Sequence, residues 1–122
     1  MIKVIFFQES NGAIPVLDWL DNQQDRVIAK CKVKIDRLKE LGNEIRRPEA
    51  AYLKKGIYEL RIQFQGIQYR LLYFFYKQTA VVLSQGFIKK GSKVPQKQLE
   101  LASKRRVLFE NNPEKHTYVE GV

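Results

Sequence analysis

Cysteine and histidine are nearly absent from this chain, and carboxylates are few beside its cations. There is one cysteine, Cys31, and one histidine, His116, in 122 residues. A single thiol makes no internal disulfide and no cysteine-based zinc cluster. That usage fits a reducing cytoplasm. A single histidine rules out a mechanism that needs a pair of them and argues against a histidine-based metal site. Long apolar runs are also missing. Val4–Phe7 is too short for the core of a signal peptide, and Leu71–Tyr76 falls far below the ~18 residues of a membrane-spanning helix. Neither a signal peptide nor a membrane partner is therefore expected. The chain has no Ser-His-Asp set, P-loop or glycine fingerprint, and no cofactor is expected.

The scarcity of carboxylates leaves a strong basic excess. Twenty-two Lys and Arg face thirteen Asp and Glu, for a net charge of +9 and a pI near 9.7. The excess is uneven. Residues 1–50 carry nine cations against eight anions, and residues 51–122 carry thirteen against five. A half so charged suits a polyanion, either nucleic acid or an acidic protein. Its few carboxylates argue against a two-metal nuclease. An apolar fraction of 44%, with seven Phe, six Tyr and one Trp, describes a folded chain. The length suits one domain able to bury roughly two-thirds of its unfolded surface.

The pattern predicts an α+β fold in the order β-α-α-β-β-β-α. It has a small antiparallel sheet of about four strands, two N-terminal helices and a C-terminal helix. Lys3–Phe7 reads as a strand, and Pro15 opens a short helix where its missing N–H costs nothing. Asn22 offers a cap for a longer helix. There Val27, Cys31, Ile35, Leu38 and Leu41 keep three-and-four spacing, and Gly42 ends it. On that apolar stripe Cys31 reads as core. Residues 43–55 read as a loop. Three strands follow, Ile57–Phe64, Gln68–Tyr76 and Thr79–Ile88, joined by the tight turns Gln65-Gly66 and Lys77-Gln78. Pro95 opens a last helix running to about Asn111. Residues 1–112 are expected to form one domain and residues 113–122 a polar, mobile tail containing His116.

The candidate chemistry sits on the hairpin. In the strand Tyr58–Phe64, Glu59, Arg61 and Gln63 share one face. A turn at Gln65-Gly66 sets Arg61 directly opposite Arg70. Like charges so placed repel, so an anion is expected between them, either Glu59 or a ligand. Two guanidinium forks suit a phosphate. Lys89 and Lys90 at the third strand's end add mobile charge. Lys54 and Lys55 before the hairpin and Lys93 beyond it extend the basic surface. Phe87 is placed to stack on a base, whereas Tyr58 and Tyr69 keep register with Leu60 and Ile62 and read as core. Such a surface suits metal-free cleavage of RNA by its own 2′-OH, for which the protein orients the substrate, stabilises the phosphorane and moves protons.

These residues resemble the RelE/ParE toxin superfamily, in particular its HigB branch with the phage-derived relatives. The resemblance is carried by Tyr58-Glu59-Leu60-Arg61, Tyr69-Arg70, Gly86-Phe87-Ile88-Lys89-Lys90 and Pro95 ahead of a helix with Ala102. Their order and spacing carry it more than any single motif, and it extends to about Asn111. It implies the toxin of a toxin–antitoxin pair, a ribosome-dependent mRNA endonuclease needing no metal or cofactor. Its partners would be mRNA on the ribosome and a helix-turn-helix antitoxin, and its location cytoplasmic. Arg61 and Arg70 would hold the scissile phosphate, and Lys89 and Lys90 would supply charge or proton transfer. Val94 stands where the family often has Thr, and the sheet has no histidine. Two other readings carry the same charge: an inactive module acting with its antitoxin in transcriptional regulation, and a gyrase-directed toxin of the ParE kind.

Overall fold

The computed structural model describes residues 1–120; Gly121 and Val122 of the expected tail lie outside them. The fold is α+β, with three α-helices and one six-stranded sheet. The strands are β1 (Lys3–Phe7), β2 (Ala50–Lys54), β3 (Ile57–Phe64), β4 (Ile67–Tyr76), β5 (Ala80–Lys89) and β6 (Thr117–Tyr118), and the helices α1 (Pro15–Asp21), α2 (Asp25–Leu41) and α3 (Gln96–Asn111). Their order across the sheet is β2-β3-β4-β5-β1-β6.

Four expectations change. The sheet is mixed, because β1 runs parallel to β5. The stretch between them, which contains α1, α2 and β2–β4, is the long crossover a parallel neighbour needs. The expected loop 43–55 contains β2, which pairs antiparallel with β3 from Ala50↔Leu60 onward. The expected tail contributes β6 against β1, and His116 is buried, its ring stacked on Phe7 at 5.0 Å with Nδ1 2.7 Å from the Gln8 carbonyl. Asn22 closes α1 instead of capping α2, which Gln24 precedes without a side-chain cap.

The two faces of the sheet bury separate cores. Val27, Cys31, Ile35 and Leu38 of α2, with Val16 and Leu20 of α1, cover Leu60, Ile62, Tyr69 and Leu71. Burial raises the Cys31 thiol to about 11, so it stays protonated at neutral pH. Leu99, Ala102 and Phe109 of α3 cover Ile57, Leu72, Phe74 and Val82 on the other face. Gly86 lets α1 approach, since a Cβ there would stand 2.4 Å from the Trp19 ring.

Two features of the ladder decide what faces α3. At the β3–β4 turn Gln65 and Gly66 both have positive φ, 51° and 79°, as a two-residue hairpin loop requires. In β5 the register slips between Leu72↔Gln85 and Tyr73↔Leu83, so Ser84 is an extra residue. The slip puts Gln85, Phe87 and Lys89 on the α3 side with Val82, reversing the alternation that an unbroken strand would give.

Candidate nucleic-acid interface

The register builds cross-strand rows on the α3 side. Arg61, Arg70 and Phe87 form one row, and Gln63, Gln68 and Lys89 the next row outward. Arg61 and Arg70 are thus directly opposed, and the anion between them is Glu59, 2% exposed. One carboxylate oxygen of Glu59 accepts from Arg61 Nε at 2.9 Å and the other from Arg70 Nε at 3.0 Å. The Glu59 carboxylate therefore offsets the repulsion that like charges in one row would cause.

The two arginines are not equivalent. Arg70 is 5% exposed, and its Nη1 also donates to Tyr69 O at 3.0 Å and Gln68 Oε1 at 3.3 Å. Burial pushes its guanidinium below the ordinary value, and Glu59 opposes that shift while Arg61 adds to it. Arg61 keeps 27% of its side chain in solvent, and among the described residues its two terminal nitrogens have no partner. Glu59 fixes the Nε edge and leaves the outer edge of the fork to face outward. Of the two anions expected between the arginines, Glu59 or a ligand, the structure has Glu59, and Arg61 alone keeps a fork edge open beside the buried Glu59–Arg70 pair.

Arg61 opens onto a groove of about 630 Å³ also lined by Lys30, Lys34, Pro48, Gln68 and Arg70. Lys30 and Lys34 were not singled out in the sequence, although their i,i+4 spacing beside the apolar stripe places them together on α2. Lys34 pairs with Glu49 at 3.1 Å, and Glu49 also binds Arg37 at 2.8 Å. The Arg37 hydrogen bond, reinforced by Lys34, lowers the Glu49 carboxyl to about 2. The Glu49 carbonyl accepts from the Arg61 amide at 2.8 Å, fixing the strand edge at the mouth of the groove.

The remaining candidates divide. Lys89 is half-buried in the row beside Arg70, and Lys90 and Lys93 are exposed in the segment leading to α3. Lys54 pairs with Ile57 and donates to Gln96 at 3.2 Å. About 13 Å of strand separates Ile57 from Arg61, so Lys54 and Lys55 do not join the arginines. Phe87 is 8% exposed and packed in the α3 core, so its ring is closed to a stacking base. Arg105 and Arg106 are engaged as well: Arg105 donates to the Ser84 carbonyl at 3.0 Å and Arg106 to the Lys55 carbonyl at 2.9 Å. Among the described residues no group of His, Cys, Asp and Glu gathers to hold a metal ion, and no helix is long and apolar enough to cross a membrane.

A family model described as Phage derived protein Gp49-like (DUF891) matches residues 18–107. The chain belongs to this family. No curated protein matches it significantly. The matched span of this Gp49-like protein runs from α1 into α3 and takes in Glu59, Arg61, Arg70, Lys89 and Lys90. It leaves out β1 and β6, so the clamp of His116 on Phe7 lies beyond the matched residues.

Proposed function

We propose that this Gp49-like protein is the toxin of a toxin–antitoxin pair and cleaves mRNA on the ribosome without a metal. Kinship between the Gp49-like family and RelE-type toxins supports the toxin reading. One observation carries the chemistry: an arginine fork, locked along one edge by a buried carboxylate, opens its other edge onto a cation-lined groove. In this reading Arg61 binds the scissile phosphate through its terminal nitrogens. The 2′-OH of the preceding ribose attacks phosphorus, the 5′-oxygen leaves, and the products are a 2′,3′-cyclic phosphate and a 5′-OH. Arg61 stabilises the charge that develops on the phosphorane. Lys89 and Lys90 add positive charge or carry a proton. Arg70 acts through Glu59 as a positioning residue. An antitoxin would act by covering this groove.

The test is induction in bacteria with mapping of mRNA 5′ ends. New 5′-OH ends in translated transcripts, lost in Arg61→Ala, are expected. Unchanged transcripts and unaffected growth would refute the nuclease. The Glu59 pairing favours one other reading, a binding module without catalysis, because it neutralises a charge the chemistry would use. Tight antitoxin binding with no cleavage on translating ribosomes would select that reading.

A further inference from the structure

The α2 side of the sheet holds an aromatic hollow that shares no lining residue with the groove. Tyr52, Tyr58, Tyr73 and Phe75 line a cavity of about 380 Å³ with Arg46 and Arg47. The rings form a connected set. Tyr52 meets Tyr58 edge-on at 5.1 Å, Tyr58 stacks on Tyr73 at 5.4 Å, and Phe75 stands edge-on to Tyr58 at 5.2 Å. Tyr52 is 54% exposed, an open ring at the cavity mouth, and its hydroxyl accepts from the Gly56 amide at 3.1 Å.

Two phenols in this hollow lack partners. Neither the Tyr58 nor the Tyr73 hydroxyl has a hydrogen bond among the described residues, although Tyr73 is 1% exposed. No sealed side-chain oxygen or nitrogen there is without a partner, so the Tyr73 hydroxyl opens onto the hollow it lines. Burial, and secondarily Tyr58, pushes the Tyr73 phenol up, so it remains a proton donor. Arg46 is tethered beside the cavity by its bond to the Asn43 carbonyl at 2.6 Å, and Arg47 is exposed. Among the described residues no carboxylate lines the hollow; Glu40 lines an adjoining one.

We propose that this hollow binds one unpaired nucleotide of RNA. The base stacks on Tyr52, its polar edge meets the Tyr58 and Tyr73 hydroxyls, and Arg46 and Arg47 receive the phosphate. Flat rings, unpaired donors and two cations without a lining anion suit a nucleotide better than an apolar side chain of a protein. The site is independent of Arg61 and does not rest on the nuclease reading.

The test is an NMR titration of the intact chain with AMP, CMP, GMP and UMP, and separately with inorganic phosphate. At least one monophosphate, raised to roughly 10 mM to capture weak binding, should give saturable shifts at Tyr52, Tyr58 and Arg47. Phosphate alone should not reproduce them. Tyr52→Ala, at an exposed position, should weaken binding on the order of five- to a hundredfold, the range of one lost base–aromatic stack. Tyr52→Phe should retain it, and Arg61→Ala should leave it unchanged. Shifts that never saturate, that phosphate reproduces, that survive Tyr52→Ala, or that map only to Arg61 and Lys89 would each overturn the proposal.

Discussion

Glu59→Gln should be the most damaging conservative change in this protein. The side chain is 3% exposed and balances Arg70, whose own side chain is 6% exposed. Replacing the carboxylate by an amide preserves shape but leaves the Arg70 charge buried with neutral acceptors only. Breaking a buried pair from one side costs about 3–5 kcal/mol. For a chain of 122 residues, an unfolding entropy near 2.1 cal/mol/K per residue converts each kcal/mol into about 4 °C, so the melting point should fall by about 12–20 °C. The pair can be dissected by a double-mutant cycle with Arg70→Met, which removes the stranded charge. Arg70→Met alone should also destabilise, by stranding Glu59. The double variant should be more stable than Glu59→Gln, since an apolar replacement of a buried pair is often neutral. Urea unfolding followed by circular dichroism measures all four corners. A Glu59→Gln loss below about 1 kcal/mol, the scale of an exposed pair, or strictly additive single losses, would refute the claim that Arg70 is a buried charge depending on Glu59.

The partner arginine should behave in the opposite way. Arg61→Ala should lose on the order of a hundredfold or more in mRNA cleavage, the usual cost of deleting a group that stabilises developing charge, with under about 1 kcal/mol of stability lost from its partly exposed pair; equal losses of stability and activity would contradict this. Gly86→Ala should destabilise by about 1–3 kcal/mol, because its methyl would meet the Trp19 ring at 2.4 Å. Trp19→Leu should relieve part of that loss in thermal melts, and a neutral Gly86→Ala would show that α1 does not press on β5. Glu49, lowered to about 2 by Arg37 and Lys34 from the ordinary 4.5, contributes stability that is fully present above pH 4.5 and fades as pH falls toward 2. Glu49→Gln should flatten the stability–pH curve in that window and lower it by a constant amount above; an unaltered acid limb would refute the Glu49 clamp.

What the sequence reveals and what it hides both follow from range. The hairpin is legible because turn chemistry and period-two alternation are local: Gln65-Gly66 sets Arg61 opposite Arg70 before any tertiary contact is known. The helices are legible because α2 carries a long apolar stripe with a glycine after it. β2 is hidden because Ala50–Lys54 is short and follows Pro48; its strand character comes from pairing with β3. β6 is two residues, with too little pattern to read, and its place depends on His116 reaching Phe7 across the chain.

The Ser84 bulge marks the deepest limit, because it decides site composition. Counting alternation from Val82 without a slip would put Lys89 on the α1–α2 side, away from the arginines. One extra residue moves Lys89 into the row with Gln63 and Gln68 and moves Phe87 from an open strand end into the α3 core. The same event thus adds a cation beside the arginines and removes a ring that an unbroken strand would leave free to stack on a base. Buried Ser84 and Gln85 fit this location: Gln85 donates to the Gln98 carbonyl at 2.8 Å, and Arg105 donates to the Ser84 carbonyl at 3.0 Å. Polar residues inside an otherwise apolar strand are the local trace of the bulge. Their partners lie on α3, so the trace becomes readable only once the helix is docked.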